Sequence, residues 1–308
     1  MTDEPYDVLI VGGGPAGLSA ALNLGRALMR VLLVDADRPR NAATLVSHGF
    51  LTRDGVPPHE LRRIAREELA GYPNVEVRTR QRVFGIEESD AGFSASLGRR
   101  SPEETVTARA VLLASGLRET LPDVPNLRGF YGVSLFSCVA CDAWDLRDRR
   151  LALIGESADL AARARLISRW TDALTVFTHG SDAIRPDEEA ELLAQGIAVE
   201  RAPILELSGE KGWITGIRLE GGAEYAIDGG FVQPRWDAEL GYLRGLAPDA
   251  DDEGHLVVDR SGRTSRAGVY AAGDIASPGP QQLMVAAGAG ARVAAVIVHD
   301  AVGITTTH

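Results

Sequence analysis

The chain has 308 residues, of which 45% are hydrophobic and 24% charged, and its formal net charge is −11. That length allows two domains, each with its own core, and the acidic balance excludes nucleic acid and anionic membrane as partners, since both need a basic face. The apolar start carries Asp3, Glu4 and Asp7 where a signal peptide would be basic and is broken by Gly12 to Gly14 and Pro15, so a cytoplasmic setting with no membrane span is expected.

In chain order, DVLIV (7–11) reads as a short buried strand, GGGPAG (12–17) as a turn, PAGLSAALNLGRALM (15–29) as a helix with one apolar face, and VLLVD (31–35) as a second strand. The RRIAR run (62–66) lies among Glu60, Glu67 and Glu68 on a mixed-charge helix and reads as a solvated face. Residues 116–132 are rich in Gly and Pro and read as a linker. GVSLFS then leads into the only two cysteines, Cys138 and Cys141, followed by a helix-compatible stretch. The strand–turn–helix–strand pattern recurs: LALI (151–154), a GES turn, a helix over 158–170 and LTVF (174–177). Short strands and glycine turns fill 197–232, an acidic turn-forming linker covers 245–255, and GVYAAGDIA precedes a long apolar helix. Trp170, Trp213 and Trp236 read as packing residues. The composition of the last segment matches the first domain. The expected fold class is therefore α/β, with two dinucleotide-binding (Rossmann-like) domains, the second inserted into the first: residues 1–118, 119–243 and 244–308.

At the first turn each residue has a physical task. Gly12 permits the tight bend, Gly14 lets backbone approach a pyrophosphate, and Gly17 lets helix and strand pack closely. Asp35, ending the next strand, can accept ribose hydroxyls, and the helix N-terminus favours phosphate. The C-x-x-C pair has three readings: half a zinc site, a structural disulfide or a redox centre. Zinc needs four ligands, and the six histidines (48, 59, 179, 255, 299 and 308) are scattered along the sequence with none near Cys138, so no metal is expected. A cytoplasmic setting disfavours a lasting staple. A cysteine at a helix start has an available thiolate, and Asp142 beside the pair could move the proton that exchange requires.

The combination of G-x-G-P-x-G, C-x-x-C-D and A-A-G-D resembles the low-molecular-weight thioredoxin reductases over nearly the whole chain. The resemblance implies FAD in the first domain, with Asp274 on the ribityl chain and Gly273 giving close approach. It further implies a cofactor set of Gly12, Gly14, Pro15, Ala16, Gly17, Asp35, Arg40, Asn41, His48, Val83, Ala114, Gly116, Gly273, Asp274, Gln281, Gln282 and Leu283. Ser115, in LLASGLRE (112–119), replaces the threonine of the family's A-T-G turn. By the same resemblance Cys141 faces the flavin, Cys138 exchanges with substrate and Asp142 is the acid, in a homodimer whose inserted domain rotates.

Two departures accompany that resemblance. Where the family has a glycine-rich G-x-G-x-x-A turn for NADPH, this chain reads Gly155-Glu156-Ser157-Ala158-Asp159-Leu160, and the basic cluster for the 2′-phosphate is reduced to His179 and Arg185. NADPH binding is therefore doubtful. PRNAATLVSHGFLTRDG (39–55), together with Trp144, resembles the dithiol oxidases that close disulfides in gliotoxin- and holomycin-type products, although Asp142 stands where those oxidases tend to have histidine. The expectation is an FAD-dependent dithiol–disulfide oxidoreductase acting through Cys138 and Cys141 on a thioredoxin-like protein or a small dithiol or disulfide. The alternatives are an NADPH-dependent thioredoxin reductase and a non-catalytic flavin-bound redox sensor.

Overall fold

The computed structural model describes residues 4–243, 245–276 and 279–304. The chain divides into two compact units. Residues 1–42, 49–118 and 237–308 form the first, and residues 43–48 and 119–236 form the second. In chain order the first unit opens with β1 (Tyr6–Val11), α1 (Pro15–Arg26), β2 (Val31–Asp35), α2 (Pro58–Leu69), β3 (Val75–Thr79), β4 (Arg82–Ser89), β5 (Gly92–Gly98) and β6 (Glu104–Leu113). The short β7 (Arg118–Thr120) leads into the second unit. There the chain forms β8 (Leu135–Phe136), α3 (Val139–Asp142), β9 (Leu151–Ile154), α4 (Leu160–Ile167), β10 (Leu174–Phe177), α5 (Pro186–Ala194), β11 (Ala198–Glu200), β12 (Ile204–Glu210), β13 (Trp213–Leu219), β14 (Glu224–Ala226) and β15 (Gly229–Val232). β16 (Arg235–Asp237) pairs with β7 where the chain passes back, and β17 (Val269–Ala271) and α6 (Leu283–Ala301) complete the first unit.

The first unit is built on a seven-stranded sheet ordered β3-β2-β1-β6-β5-β4, with β17 also pairing to β6. β3, β2, β1, β6 and β17 run parallel, and the β4–β5–β6 edge is antiparallel. β1 and β2 are almost wholly buried, as the continuous apolar runs of a sheet covered on both faces should be. α1 ends at Arg26, three residues before the predicted end, because Leu28 adopts a left-handed φ of 64° and turns the chain toward β2.

α6 is long and apolar enough by length and composition to cross a membrane, a property the sequence reading did not assign to it. One face of it is core: Ala286, Gly290, Val293, Ala294, Val296 and Ile297 are buried with Val8, Ile10 and the apolar face of α1. Contact there is so close that a β-carbon on Gly290 would lie 2.0 Å from the Ala16 carbonyl oxygen. Residues 237–243, expected in the inserted domain, belong to the first unit, because Leu243 is buried beside Ile86 and Leu97 and Leu240 and Tyr242 pack around it.

The second unit carries a five-stranded parallel sheet ordered β11-β10-β9-β15-β8 and a three-stranded antiparallel sheet β12-β13-β14. β9 and β10 occupy the strands predicted for them, while α4 is shorter than the predicted 158–170, starting after Asp159 and ending at Ile167. Trp170 packs against this core and Trp236 is half-buried. Trp213, in contrast, stands 53% exposed on β13 and is not a packing residue.

Candidate active site

The glycine turn of the first unit lies at the carboxyl ends of β1, β6 and β17, where open parallel sheets bind ligands. Gly12 takes a φ of +113°, and a β-carbon on it would lie 2.3 Å from the Ala114 carbonyl oxygen. Gly17 is pressed onto the Gly12 carbonyl in the same way. Beside Gly14, in contrast, nothing lies within 4 Å of where a β-carbon would be. Gly14 also begins α1 without a side-chain cap, and Pro15 opens the helix. An open space at an uncapped helix N-terminus suits an anionic group such as a pyrophosphate.

Asp35 is 7% exposed. Its Oδ1 accepts the Asp37 amide at 2.9 Å, while its Oδ2 is buried with no hydrogen-bond partner. A buried carboxylate oxygen without a donor is costly unless a ligand supplies one, and a ribose hydroxyl is such a donor. Arg62 and Arg66 stand 3.6 and 4.0 Å from that oxygen. The RRIAR run is therefore not simply a solvated face. Its i, i+4 arginines turn toward Asp35, and only Arg63, between Glu60 and Glu67, is the exposed member.

Asp274 begins a 3-10 turn after β17, and its Oδ2 accepts from Arg40 at 2.7 Å, which brings together two residues far apart in sequence. Gly273 packs over Ala16, with 3.0 Å between the β-carbon of Ala16 and the place a β-carbon of Gly273 would take. Asn41 follows Arg40 in a 3-10 turn, Ala114 and Gly116 continue from β6, Gln282 caps α6 between Gln281 and Leu283, and Val83 is half-buried on β4 opposite Leu97. Ser115 Oγ is 3.2 Å from the Tyr242 hydroxyl, whose pKa burial pushes up to about 12. The open cradle at Gly14 and the Asp35 oxygen that lacks a hydrogen-bond donor fit the adenine-nucleotide half of FAD.

The cysteine pair lies in the second unit, where Cys138 and Cys141 are joined as a disulfide. Cys138 caps α3, its sulfur accepting the Cys141 amide at 3.2 Å. α3 is only one turn long, so any help to a thiolate from its dipole is smaller than the predicted helix implied. Asp142 is 7% exposed, and burial raises its pKa to about 7; the charge of His48 opposes that rise and the charge of Asp145 adds to it. A carboxyl titrating near neutrality beside a thiol pair is suited to proton transfer.

His48, placed with the cofactor residues by resemblance, lies in the second unit, its Nε2 3.1 Å from Asp145 Oδ2. No spacing along the sequence points to the His48–Asp145 pair, because only folding brings the 43–48 segment into the second unit. Arg163, on α4, donates to the Ser137 carbonyl at 3.0 Å and so holds the residue before Cys138. Trp144 is 67% exposed, with the Arg147 guanidinium 4.3 Å from its ring centre.

The second glycine turn is occupied by the protein's own side chains. Gln233 donates to Asp159 at the start of α4, and a β-carbon on Gly155 would already lie 2.7 Å from Leu160. His179 is held at both ring nitrogens by backbone, with Nδ1 accepting the Ile204 amide at 2.8 Å and Nε2 3.2 Å from the Asp123 carbonyl. Arg185 pairs with Asp187 and Glu188 in the first turn of α5.

Residues 6–290 match the model of the pyridine nucleotide-disulphide oxidoreductases. The chain is similar to the crystal structure of TrxB from Bacillus anthracis, with 34% identity and a TM-score of 0.90, covering 96% of this chain and 98% of that one. It is likewise similar to HlmI, with 32% identity and a TM-score of 0.90, covering 98% of this chain and 94% of that one. Over 183 residues it is 31% identical to a probable thioredoxin reductase of Arthroderma benhamiae, a match spanning 58% of this chain and 45% of that protein's length. With the turn, the buried acid and the cysteine pair in place, the chain belongs to the pyridine nucleotide-disulphide oxidoreductase family, as a thioredoxin-reductase-like flavoprotein.

Proposed function

We propose that the protein is an FAD-dependent dithiol–disulfide oxidoreductase in which Cys138 and Cys141 exchange two electrons with flavin, and that it does not use NADPH efficiently. The observation that carries the second part is the Gln233–Asp159 hydrogen bond at the start of α4, which fills the turn where a dinucleotide pyrophosphate would lie. Glu156 and Ser157 add charge and bulk where close phosphate approach is wanted.

FAD, when bound, supplies a two-electron acceptor. A thiolate of a small dithiol attacks Cys138 Sγ, the Cys138–Cys141 bond breaks, and Cys141 departs as a thiolate. The second thiol of the substrate, deprotonated with the help of Asp142, attacks its own sulfur in the mixed disulfide. This releases Cys138 and an oxidised substrate. Cys138 and Cys141 then re-form their bond, giving up two electrons. Run backward, the same residues reduce a thioredoxin-like disulfide. The loop at 39–55, which resembles that of dithiol oxidases, supports the oxidising direction. The family resemblance carries a homodimer, and the two-cysteine content is in keeping with a cytoplasmic setting.

The test is an anaerobic titration of the FAD-loaded protein with NADPH, NADH and dithiothreitol, followed by flavin absorbance. Bleaching by dithiothreitol alone is the expected result. Rapid bleaching by stoichiometric NADPH would overturn the proposal and favour an NADPH-dependent thioredoxin reductase, the reading that the similarity to a probable thioredoxin reductase supports.

A further inference from the structure

We propose that His48 and Asp145 form a proton relay connecting the buried Asp142 to solvent during thiol–disulfide exchange at the Cys138–Cys141 pair. The inference rests on the dithiol–disulfide reading and adds to it a named route for the proton.

The need for a route follows from burial. Asp142 is 7% exposed, so a proton it takes from a thiol meets little bulk water directly. The 43–48 segment is packed into the second unit. At its start Gly132 meets Ala43 so closely that a β-carbon there would lie 2.1 Å from the Ala43 carbonyl oxygen. At its end His48 Nε2 stands 3.1 Å from Asp145 Oδ2. The His48 side chain is 22% exposed and that of Asp145 is 59% exposed, so the pair runs from interior to surface. The charged groups acting on Asp142 are these same two, His48 favouring its anion and Asp145 opposing it. α3 also brings the sulfurs of Cys138 and Cys141 and the Asp142 carboxylate oxygen within 4.8 Å of one another. Thus the sulfurs with the buried acid, and the His48–Asp145 pair one turn further on, lie within one unit.

The step balances as follows. Asp142 takes the proton of the substrate's second thiol, and the resulting thiolate closes the substrate disulfide by displacing Cys138. The proton passes from Asp142 to a ring nitrogen of His48, while the imidazole gives one up at Nε2 to Asp145 and thence to water. The two electrons remain on the cysteine pair, for which FAD, when bound, would be the acceptor. His48 is therefore a positioning and relay residue that acts through Asp142.

The experiment is anaerobic stopped-flow reduction of the FAD-loaded protein by dithiothreitol, for wild type, His48→Gln and Asp145→Asn, across a range of pH. His48→Gln is expected to slow flavin bleaching by about tenfold or more near neutrality, at the lower end of what positioned proton transfer contributes. Added imidazole should restore most of that loss, and Asp145→Asn should give a smaller loss in the same pH range. An unchanged flavin spectrum and circular dichroism show that the variants fold. The proposal is overturned if His48→Gln keeps the wild-type rate and pH profile, or if its loss is equal at every pH and imidazole restores nothing. Failure of dithiothreitol to bleach wild type would instead overturn the dithiol reading and the relay with it.

Discussion

Gly13 and Asp35 meet at the first turn: a β-carbon on Gly13 would lie 2.4 Å from Asp35 Oδ2, so the two segments come together only because Gly13 has no side chain. The oxygen concerned is the buried one that lacks a donor. Gly13→Ala should push the Asp35 carboxylate away from where an FAD ribose hydroxyl would donate to it. A hydrogen bond to a charged group is worth ~1.5–3 kcal/mol, so FAD should bind roughly ten- to a hundredfold more weakly. Reconstitution of the apoprotein followed by flavin fluorescence measures this, and an unchanged Kd would remove Asp35 from the ribose.

The elevated pKa of Asp142 gives a stability prediction whose sign is fixed. Burial raises the group from 3.8 to about 7, so the folded state favours the neutral acid. The associated stability is complete below about pH 4 and is lost as pH rises through about 7. At ~1.4 kcal/mol for each tenfold change in proton affinity, the full difference is roughly 4 kcal/mol at most. Asp142→Asn, neutral throughout, should match wild type near pH 4 and exceed it in urea unfolding at pH 8. Parallel curves at both pH values would show that Asp142 titrates normally.

The dinucleotide turn of the first unit was legible because its information is local. Strand, three glycines, helix and Asp35 follow within one βαβ unit, and each residue has a steric or electrostatic reason to be where it is. Gly13 carries no such local signal, since its constraint is the Asp35 side chain that folding brings against it. The i, i+4 spacing of Arg62 and Arg66 also held a signal, since only residues on one helix face can reach Asp35 together. Gln233 with Asp159, and His48 with Asp145, had no local signal at all. These pairs depend on the order of strands and on the return of the 43–48 segment to the second unit, which no periodicity encodes. Trp213 failed for another reason: aromatic character predicts burial on average, but β13 exposes one face, and Trp213 lies on it.

The α1–α6 contact should be highly sensitive to added volume. Any side chain at Gly290 meets the Ala16 carbonyl oxygen at 2.0 Å, and backbone on both sides leaves little to give. Gly290→Ala should destabilise the protein by about 1–3 kcal/mol, the usual cost of overpacking, measured as a lower urea midpoint at unchanged m-value. Because Ala16 belongs to the same turn as Gly14 and Gly17, the variant should also hold FAD less tightly. Stability loss without any change in flavin affinity would show that α1 moves as a body and leaves the turn intact.

The second unit should fail to distinguish NADPH from NADH. A 2′-phosphate needs a free cation or amide, and the residues at that place are already engaged. His179 is bound at both ring nitrogens by backbone, Arg185 is paired with Asp187 and Glu188, and Arg201 with Glu189. Asp187, Glu188 and Glu189 also fill the first turn of α5, so an added phosphate would enter a negative field. Calorimetric titration should therefore give millimolar or weaker binding for both coenzymes, differing by less than about 1 kcal/mol, far short of the contribution of charge-assisted bonds to a phosphate. A double variant, Glu156→Gly with Ser157→Gly, removes the charge and bulk beside the pyrophosphate and should tighten both coenzymes by a similar factor. The discrimination ratio should remain near one, because the adenosine end is untouched. A tenfold preference for NADPH in wild type would mean that the arginines exchange their carboxylate partners for phosphate, and that the second turn opens when the coenzyme arrives.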